Sequence, residues 1–320
     1  MAKTQSGTQG YSSRTLTVIL VILCLITIGG FIVIEYVLPD KDIEYINVSG
    51  EYNKLENEVN SQREEIERIN TEIEKINSLN ENIELERNEF FANASLIENK
   101  VKNGELNVKI GYLTFDDGPY YDTSPKFLDV LEQYDVLATF FYLEKGEDYL
   151  NLNYLPIFDR LIHSGHTLGN HTATHQLGSG GVYSSSERFL ADIERNRQFI
   201  KDHFGITTTV MRFPGGINTS GGLRDSILNG LRNMDPPYAY AQWDAATGDG
   251  GAGSYSIEED GVTVYTNNVL ETTKDRNSTV VLMHDYSYTT LEALPRIIEG
   301  MRAQGYIFLP LFYDSLAVGR

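Results

Sequence analysis

The first pattern of hydrophobic positions along the chain is a long apolar run near the amino terminus. Residues 16–38 read LTVILVILCLITIGGFIVIEYVL, and Glu35 is the one charged residue among them. This run is long enough to cross a bilayer as a helix, so we predict a transmembrane helix at 16–38. A secretory signal peptide is the alternative, but its apolar core is shorter, and no clear small-x-small cleavage site follows the run.

The charges on either side of the run predict its orientation. The arm 1–15 carries Lys3 and Arg14 and no acidic residue, whereas residues 40–44 include three acids. Because cytoplasmic flanks are enriched in Lys and Arg, we predict a cytoplasmic arm and a cell-membrane protein that spans the lipid once. The bulk of the chain is then extracytoplasmic. The only cysteine, Cys24, lies within the run, so the outer part has no disulfide.

A seven-residue repeat of apolar positions follows in residues 47–102. The first position of the repeat is occupied by Tyr52, Val59, Ile66, Ile73 and Asn80. The second position, three residues later, is occupied by Leu55, Gln62, Ile69, Ile76 and Ile83. This spacing is typical of a coiled coil, and the pattern continues less regularly through Phe90, Ala94, Ile97 and Val101. We predict a coiled-coil stalk that joins copies of the chain into a homo-oligomer, either a trimer, which isoleucine at both positions favours, or a dimer. A solvated single helix, or one folded back on the domain, is the alternative.

From residue 107 onward, short apolar runs alternate with amphipathic segments. The predicted strands are 108–115, 136–141, 167–169, 208–213, 238–243, 279–283 and 306–309. The predicted helices are 124–134, 155–163, 187–204, 223–234, 263–274 and 291–302. Ser184 with Glu187 forms a capping box for the third helix, and Gly205 ends it. This alternation predicts an α/β domain at 107–320, either a doubly wound sheet or, as we prefer, a barrel.

Composition excludes one class of partner. The chain has 320 residues, of which 41% are hydrophobic and 22% charged, as in an ordinary globular protein. Its net charge is −19 and its pI about 4.7. Because nucleic-acid binding depends on Lys and Arg that neutralise phosphates, we exclude nucleic acid as a partner.

Unusual polar residues follow the predicted strands. The clusters are Asp116-Asp117, His171 with His175, Arg212, Asp244 with Asp249, and His284-Asp285. In α/β barrels the loops at the carboxyl ends of the strands build the active site, so we expect these clusters to converge.

Two of these clusters predict a metal site. His171 and His175 are four residues apart and would share one helical face, a spacing at which two imidazoles bind one metal ion. One aspartate of the Asp116-Asp117 pair would complete the metal ligands. The other would stay unbound and serve as a base. The alternatives are ordinary surface histidines and an acidic turn at 116–119.

Two further residues suit catalysis. His284 follows a buried run and is placed to donate a proton to a leaving amine or alkoxide. Arg212 is placed to clamp the base carboxylate, while Gly215 and Gly216 offer backbone N–H groups to an oxyanion. A core histidine that is hydrogen-bonded to Asp285, and an ordinary turn ended by Pro214, are the alternatives.

Together these motifs, TFDDGP, GHTLGNHTATH, RFPGG, WDAATGDG and LMHD, resemble in order and spacing those of the NodB-homology polysaccharide deacetylases, carbohydrate esterase family 4. The resemblance spans residues 108–316. It implies a distorted (β/α)7-type barrel and metal-dependent removal of acetyl groups from polysaccharides, usually with zinc. It implies that Asp116 is the catalytic base and His284 the catalytic acid. The metal ligands it implies are Asp117, His171 and His175.

The resemblance also implies supporting roles. Arg212 orients the base, Leu282 lines the acetyl pocket, and the Gly215 N–H stabilises the oxyanion. The remaining residues that we assign to substrate binding or to support of the site are Pro214, Asp249 and Asp285. Two positions depart from the family pattern, because Gly215 and Gly250 stand where aromatic groove residues are usual. Trp243 and nearby tyrosines are candidate replacements.

The sequence therefore predicts a membrane-anchored hydrolase that removes N-acetyl groups from N-acetylglucosamine residues of cell-wall peptidoglycan. Its partners would be the wall polysaccharide and membrane lipid. The alternatives are deacetylation of another polymer, such as poly-N-acetylglucosamine, chitin oligomers or xylan, and a non-catalytic scaffold that binds wall glycan.

Overall fold

The computed structural model describes residues 48–144, 154–217, 221–250 and 259–320. The chain divides into two units, Met1–Ile73 and Glu74–Arg320, which we describe separately. The arm 1–15 and the predicted transmembrane helix at 16–38 lie outside the described residues. Within the described ranges, no helix combines the length and apolar character that a membrane span requires.

The predicted stalk is helical. Helix α1, Val48–Lys102, begins in the first unit and ends in the second. In the first unit, four apolar residues of the seven-residue repeat, Leu55, Ile66, Ile69 and Ile73, are 40–52% exposed. The association of several such helices stays a prediction.

In the second unit, the end of α1 packs against the α/β domain. Phe91 stacks on Phe312, with ring centroids 5.4 Å apart. Glu98 is buried; its carboxylate accepts hydrogen bonds from the Tyr112 hydroxyl at 2.6 Å and from the Leu316 N–H at 2.9 Å. The end of α1 is therefore folded against the domain, which was the alternative to a coiled-coil stalk for this part of the helix.

The domain is built on one mainly parallel sheet. Its strands are β1 Lys109–Asp116, β2 Thr139–Tyr142, β3 Thr167–Asn170, β4 Val210–Met211, β5 Ala239–Ala241, β6 Ala245–Ala246, β7 Ser278–His284, β8 Tyr306–Phe308 and β9 Val318–Gly319. The order is β6-β7-β1-β2-β3-β4-β5-β9, with β8 beside the start of β1 and β9 antiparallel to β5. The predicted α/β class is confirmed. The sheet is a curled half-barrel, and no ladder joins β6 to β9 among the described residues.

The helices agree closely with the hydrophobic periodicity. They are α2 Ser124–Gln133, α3 Leu155–His163, α4 Ser186–Phe204, α5 Gly221–Arg232, α6 Glu259–Thr273 and α7 Tyr288–Ala303, with a 3-10 turn at Val182–Ser184. The predicted cap of α4 was wrong by one residue. Ser184 belongs to the 3-10 turn, and the side chain of Ser185 caps the helix by accepting the Arg188 N–H. Gly205 ends α4 in the left-handed conformation, as predicted.

Alternation along β1 divides the core. Leu113 and Phe115 pack in the cluster that lies against α2, α3 and α7. Ile110 and Tyr112 point to the other face, where they join the cluster that includes Ala94 of α1. Both faces of β1 are therefore buried, and its polar residues Thr114 and Asp116 are held within the domain.

Candidate active site

Parallel register brings the predicted site residues to one edge of the sheet. Asp116, the last residue of β1, lies beside His284, the last residue of β7. β3 and β4 pair through their last residues, so the residues that follow, His171 and Arg212, leave the sheet side by side. The carboxyl ends of β7, β1, β3 and β4 thus supply the site residues at one edge of the sheet, where the sequence placed the site.

Three side chains at this edge form a set that suits a divalent cation. Asp117 Oδ1 lies 3.4 Å from His171 Nε2 and 3.5 Å from His175 Nε2. This oxygen is buried and accepts no hydrogen bond from any described residue. His171 Nδ1 lies 2.9 Å from the Arg212 carbonyl and donates to it, which leaves the lone pair of the neutral ring on Nε2. Two atoms that each bind one zinc ion tetrahedrally lie about 3.4 Å apart, so the three residues fit such an ion.

The two histidines converge through a loop and not through a helix, so the prediction of a shared helical face was wrong. β3 ends at Asn170, whose side-chain oxygen accepts the Thr172 N–H at 2.8 Å and turns the chain. Thr172 and His175 then adopt left-handed conformations with φ of 69° and 50°. The Thr172 hydroxyl accepts the His175 N–H at 3.1 Å, and the rings of His171 and His175 come within 5.0 Å.

Asp116 is a second buried carboxylate, with a cationic partner of its own. Arg212 is fully buried, and its Nη1 donates to Asp116 Oδ1 at 2.8 Å and to the Thr114 hydroxyl at 2.7 Å. The guanidinium packs over the Phe141 ring at 4.4 Å. The other oxygen, Oδ2, lies 3.6 Å from His171 Nε2. Asp116 therefore stands beside the three candidate ligands, held by Arg212 as the sequence predicted.

His284 faces the same set from β7. Its Nε2 lies 3.8 Å from Asp117 Oδ2, and its Nδ1 lies 2.8 Å from Asp249 Oδ1. Asp249 Oδ2 accepts the His284 N–H at 2.9 Å and the Thr290 hydroxyl at 2.6 Å. The alternative of a histidine bonded to Asp285 was therefore wrong, because Asp249 is the partner of the ring.

Burial and charge shift the pKa values of these groups in different directions. Burial lowers the pKa of His284, but the hydrogen bond and charge of Asp249 outweigh it and raise the pKa to about 9. Burial likewise lowers the pKa of His171, and the Asp116 and Asp117 carboxylates reverse the effect, so the pKa is raised. Burial would raise the pKa of Asp117, yet the neighbouring imidazoles hold it below its ordinary value.

The turn at Pro214–Gly216 lies between two aromatic residues. The Tyr183 hydroxyl lies 2.8 Å from the Pro214 carbonyl oxygen and 3.0 Å from that of Gly216. Gly215 and Gly216 have φ of 63° and 82°. A Cβ atom on Gly216 would come within 3.0 Å of the Trp243 ring, so glycine permits this approach. The half-buried Trp243 thus lies beside the turn that follows Arg212.

Two of the predicted residues support the site and one lies away from it. Leu282 is half-buried in β7, two residues before His284. Asp285 is buried and accepts hydrogen bonds from the Ser124 and Tyr142 hydroxyls beneath the Asp117 loop. The grouping of Asp244 with Asp249 was wrong, because the short strand β6 begins after Asp244 and separates the two. Asp244 instead pairs with Arg276 at 2.8 Å.

Sequence reasoning missed several supporting residues. Thr114 lies two positions before Asp116 on the same face of β1, a signal that strand alternation offered. Thr290 of α7 and Asp192 of α4 reach the site loops across the fold, and no local pattern marked them.

The comparisons with known proteins agree with this geometry. Residues 103–234 match the family model described as polysaccharide deacetylase. The structure is similar to the crystal structure of the catalytic domain of peptidoglycan N-acetylglucosamine deacetylase from Eubacterium rectale, with a TM-score of 0.54. The two sequences are 30% identical, and the match covers 66% of this chain and 92% of that one. A carbohydrate esterase family 4 esterase from Streptococcus mutans is 31% identical, with a TM-score of 0.54, over 64% of this chain and 87% of that one.

Curated relatives are matched over part of their length. The chain is 29% identical to a peptidoglycan-N-acetylglucosamine deacetylase of Bacillus cereus over 62% of this chain and 68% of the relative. It is 30% identical to a bifunctional xylanase/deacetylase of Pseudobutyrivibrio xylanivorans over 63% of this chain and 30% of that protein.

The curled parallel sheet and the Asp-His-His set with a spare carboxylate define the class of a hydrolytic deacetylase. The chain belongs to the polysaccharide deacetylase family, carbohydrate esterase family 4, which confirms the resemblance seen in the sequence.

Proposed function

We propose that this protein removes N-acetyl groups from N-acetylglucosamine residues of cell-wall peptidoglycan and depends on one divalent metal ion, most suitably zinc. The observation that carries the proposal is the buried Asp116, which stands beside Asp117, His171 and His175 but pairs with Arg212. A hydrolase of this kind needs a carboxylate that remains available as a base, and the arrangement supplies one.

Each polar group has a definable task. Asp117, His171 and His175 would hold a divalent cation, which would supply Lewis-acid polarisation of the acetamide carbonyl. Asp116 accepts a proton from the attacking water, and the hydrogen bond from Arg212 orients this carboxylate beforehand. The Gly215 N–H, in the turn that follows Arg212, donates to the carbonyl oxygen as its negative charge develops.

Leaving-group protonation falls to His284. Its pKa of about 9 keeps the ring protonated at neutral pH, and Asp249 at 2.8 Å fixes its orientation. When the C–N bond breaks, His284 gives its proton to the sugar nitrogen, and the products are acetate and a free amine. The sign of the shift matters, because a histidine of ordinary pKa would be mostly neutral at pH 7.

Substrate choice rests on the relatives and on the groove. The Eubacterium rectale and Bacillus cereus proteins are named as peptidoglycan N-acetylglucosamine deacetylases, which supports that polymer. In this proposal, the Leu282 side chain lines the pocket that receives the acetyl group of the substrate. Gly215 and Gly250 remove two aromatic walls, and Trp243, beside Gly216, is the candidate stacking surface in their place.

Acetate release tests the proposal directly. The purified chain should release acetate from N-acetylated peptidoglycan, lose this activity with a chelator and recover it with zinc. Asp116→Asn should lower the rate by about 10²–10⁴-fold, the range of general acid–base catalysis. Asp159→Asn, at an exposed carboxylate of α3, is the matched control and should leave the rate unchanged. Absence of release from every N- or O-acetylated glycan would refute the enzymatic proposal.

The same assay separates the alternatives. Products from poly-N-acetylglucosamine, chitin oligomers and acetylated xylan, compared by mass spectrometry, distinguish another polymer from peptidoglycan. If the protein is a non-catalytic scaffold, the wild type should release no acetate, and Asp116→Asn should preserve the cellular function.

We also propose that 16–38 anchors the chain in the cell membrane, with 1–15 cytoplasmic and the domain outside. Exposed apolar side chains at Leu55, Ile66, Ile69 and Ile73 support self-association of α1 as a trimer or dimer. Analytical ultracentrifugation of the detergent-solubilised chain tests this association, because Ile66→Asp with Ile69→Asp should yield monomers. Protease accessibility in intact cells tests the orientation.

A further inference from the structure

One carboxylate of α4, the next α-helix along the chain, binds the centre of the loop that carries both histidines. Asp192 of α4 accepts three hydrogen bonds through Oδ2, from the Ala173 N–H at 3.0 Å, the Thr174 N–H at 3.0 Å and the Thr174 hydroxyl at 3.2 Å. Its backbone carbonyl also accepts the Ala173 N–H at 3.2 Å. Asp192 therefore binds the segment midway between His171 and His175.

This segment needs such support. Thr172 and His175 both have positive φ, and a left-handed residue other than glycine costs roughly 1–2 kcal/mol. His171 is buried and follows directly from β3, whereas His175 is partly exposed and reaches the cluster through the turn. The Asn170 side chain accepts the Thr172 N–H, and the Thr172 hydroxyl accepts the His175 N–H. The two N–H groups at the centre of the turn, those of Ala173 and Thr174, are held by Asp192.

We propose that Asp192 is a positioning residue for the cation: it fixes the 172–175 turn so that His175 Nε2 stays 3.5 Å from Asp117 Oδ1. This inference rests on the proposed function only in taking Asp117, His171 and His175 as the ligands. Groups that orient metal ligands contribute about 10–100-fold to metal affinity, and the charged acceptor makes each of its hydrogen bonds stronger than a neutral one would be.

A zinc-binding series on the full-length chain tests the inference without relying on activity. Zinc affinity is measured by competition with a chromogenic chelator for the wild type, Asp192→Asn and Asp192→Ala. We expect the Kd to rise about 10–100-fold in Asp192→Ala and less in Asp192→Asn, which keeps one neutral oxygen acceptor. Asp202→Asn, at an exposed carboxylate of the same helix, is the matched control and should bind zinc as the wild type does.

Two measurements on the metal-free chain separate positioning from a general effect on folding. The melting temperature should change little in Asp192→Asn, while hydrogen exchange at the Ala173 and Thr174 amides should become faster. Wild-type zinc affinity in Asp192→Asn and Asp192→Ala overturns the inference about Asp192. If Asp192→Ala does not fold, an unchanged Kd in Asp192→Asn overturns it as well. Failure of the wild type itself to bind zinc refutes the proposed cation site instead.

Discussion

The buried ion pair of Asp116 with Arg212 gives a prediction whose size follows from the geometry. The two charges lie 2.8 Å apart, with 5% and 0% of their side chains exposed. At an effective dielectric constant of about 20, their attraction is about 6 kcal/mol. Removing water from each charge costs several kcal/mol, so the intact pair contributes little net stability. Either charge left alone in this environment is strongly unfavourable.

A double-mutant cycle measures this dependence. Asp116→Asn and Arg212→Met should each lower the free energy of unfolding by about 3–5 kcal/mol, because each leaves one buried charge without its partner. The double variant removes both charges, so its free energy of unfolding should be at least that of the less stable single variant. The expected coupling energy is therefore at least about 3 kcal/mol.

Urea unfolding of the metal-free full-length chain at pH 7 is the appropriate assay, because urea does not screen charges. Trp243, the single tryptophan, lies 5.9 Å from the Arg212 guanidinium and reports on this region by fluorescence. The matched control is the exposed pair of Asp244 and Arg276, also 2.8 Å apart, whose coupling should stay below about 1 kcal/mol. A coupling for the buried pair no larger than that of the exposed pair would refute this reasoning.

Three further predictions concern other buried groups. Burial lowers the pKa of His166 to about 4, so between pH 6.5 and 4 the unfolded chain binds a proton that the folded chain does not. The free energy of unfolding should therefore fall by about 3 kcal/mol as the pH drops from 6.5 to 4. His166→Asn should flatten this dependence in urea titrations at each pH. Asp249→Ala should lower the pKa of His284 from about 9 by at least one unit in the metal-free chain, measured by NMR, because its hydrogen bond and charge are lost. Glu98→Ala should cost about 2 kcal/mol of unfolding free energy, since the Tyr112 hydroxyl then loses its acceptor.

The elements of the fold were readable from local pattern because their apolar periodicity reflects which faces are buried. The helix at Leu155–His163 has the predicted bounds, and nine other predicted helices and strands differ from the structure by no more than two residues at either end. The missed strands, Ala245–Ala246 and Val318–Gly319, have two residues each. Such short strands carry no periodicity, and they exist because a neighbouring strand supplies their hydrogen bonds.

The candidate site was predictable in composition but not in arrangement. Motif order and placement after strands identified Asp116, Asp117, His171 and His175 together, since parallel strands must end at one edge. The four-residue spacing of His171 and His175 predicts a helical face, but the same spacing also occurs in a loop, which is what the structure contains. Their convergence depends on left-handed residues that a sequence does not reveal.

The sequence alone determined the element types and the residues that meet at the candidate site, because these follow from periodicity and chemical type. Only the tertiary structure decided that Asp249 and not Asp285 supports His284, and that Asp244 faces Arg276. It also decided that Asp192 holds the histidine loop. The physical reason is distance: each of these choices is a hydrogen bond of about 3 Å between residues far apart in the chain, and only packing of the sheet and helices sets such distances.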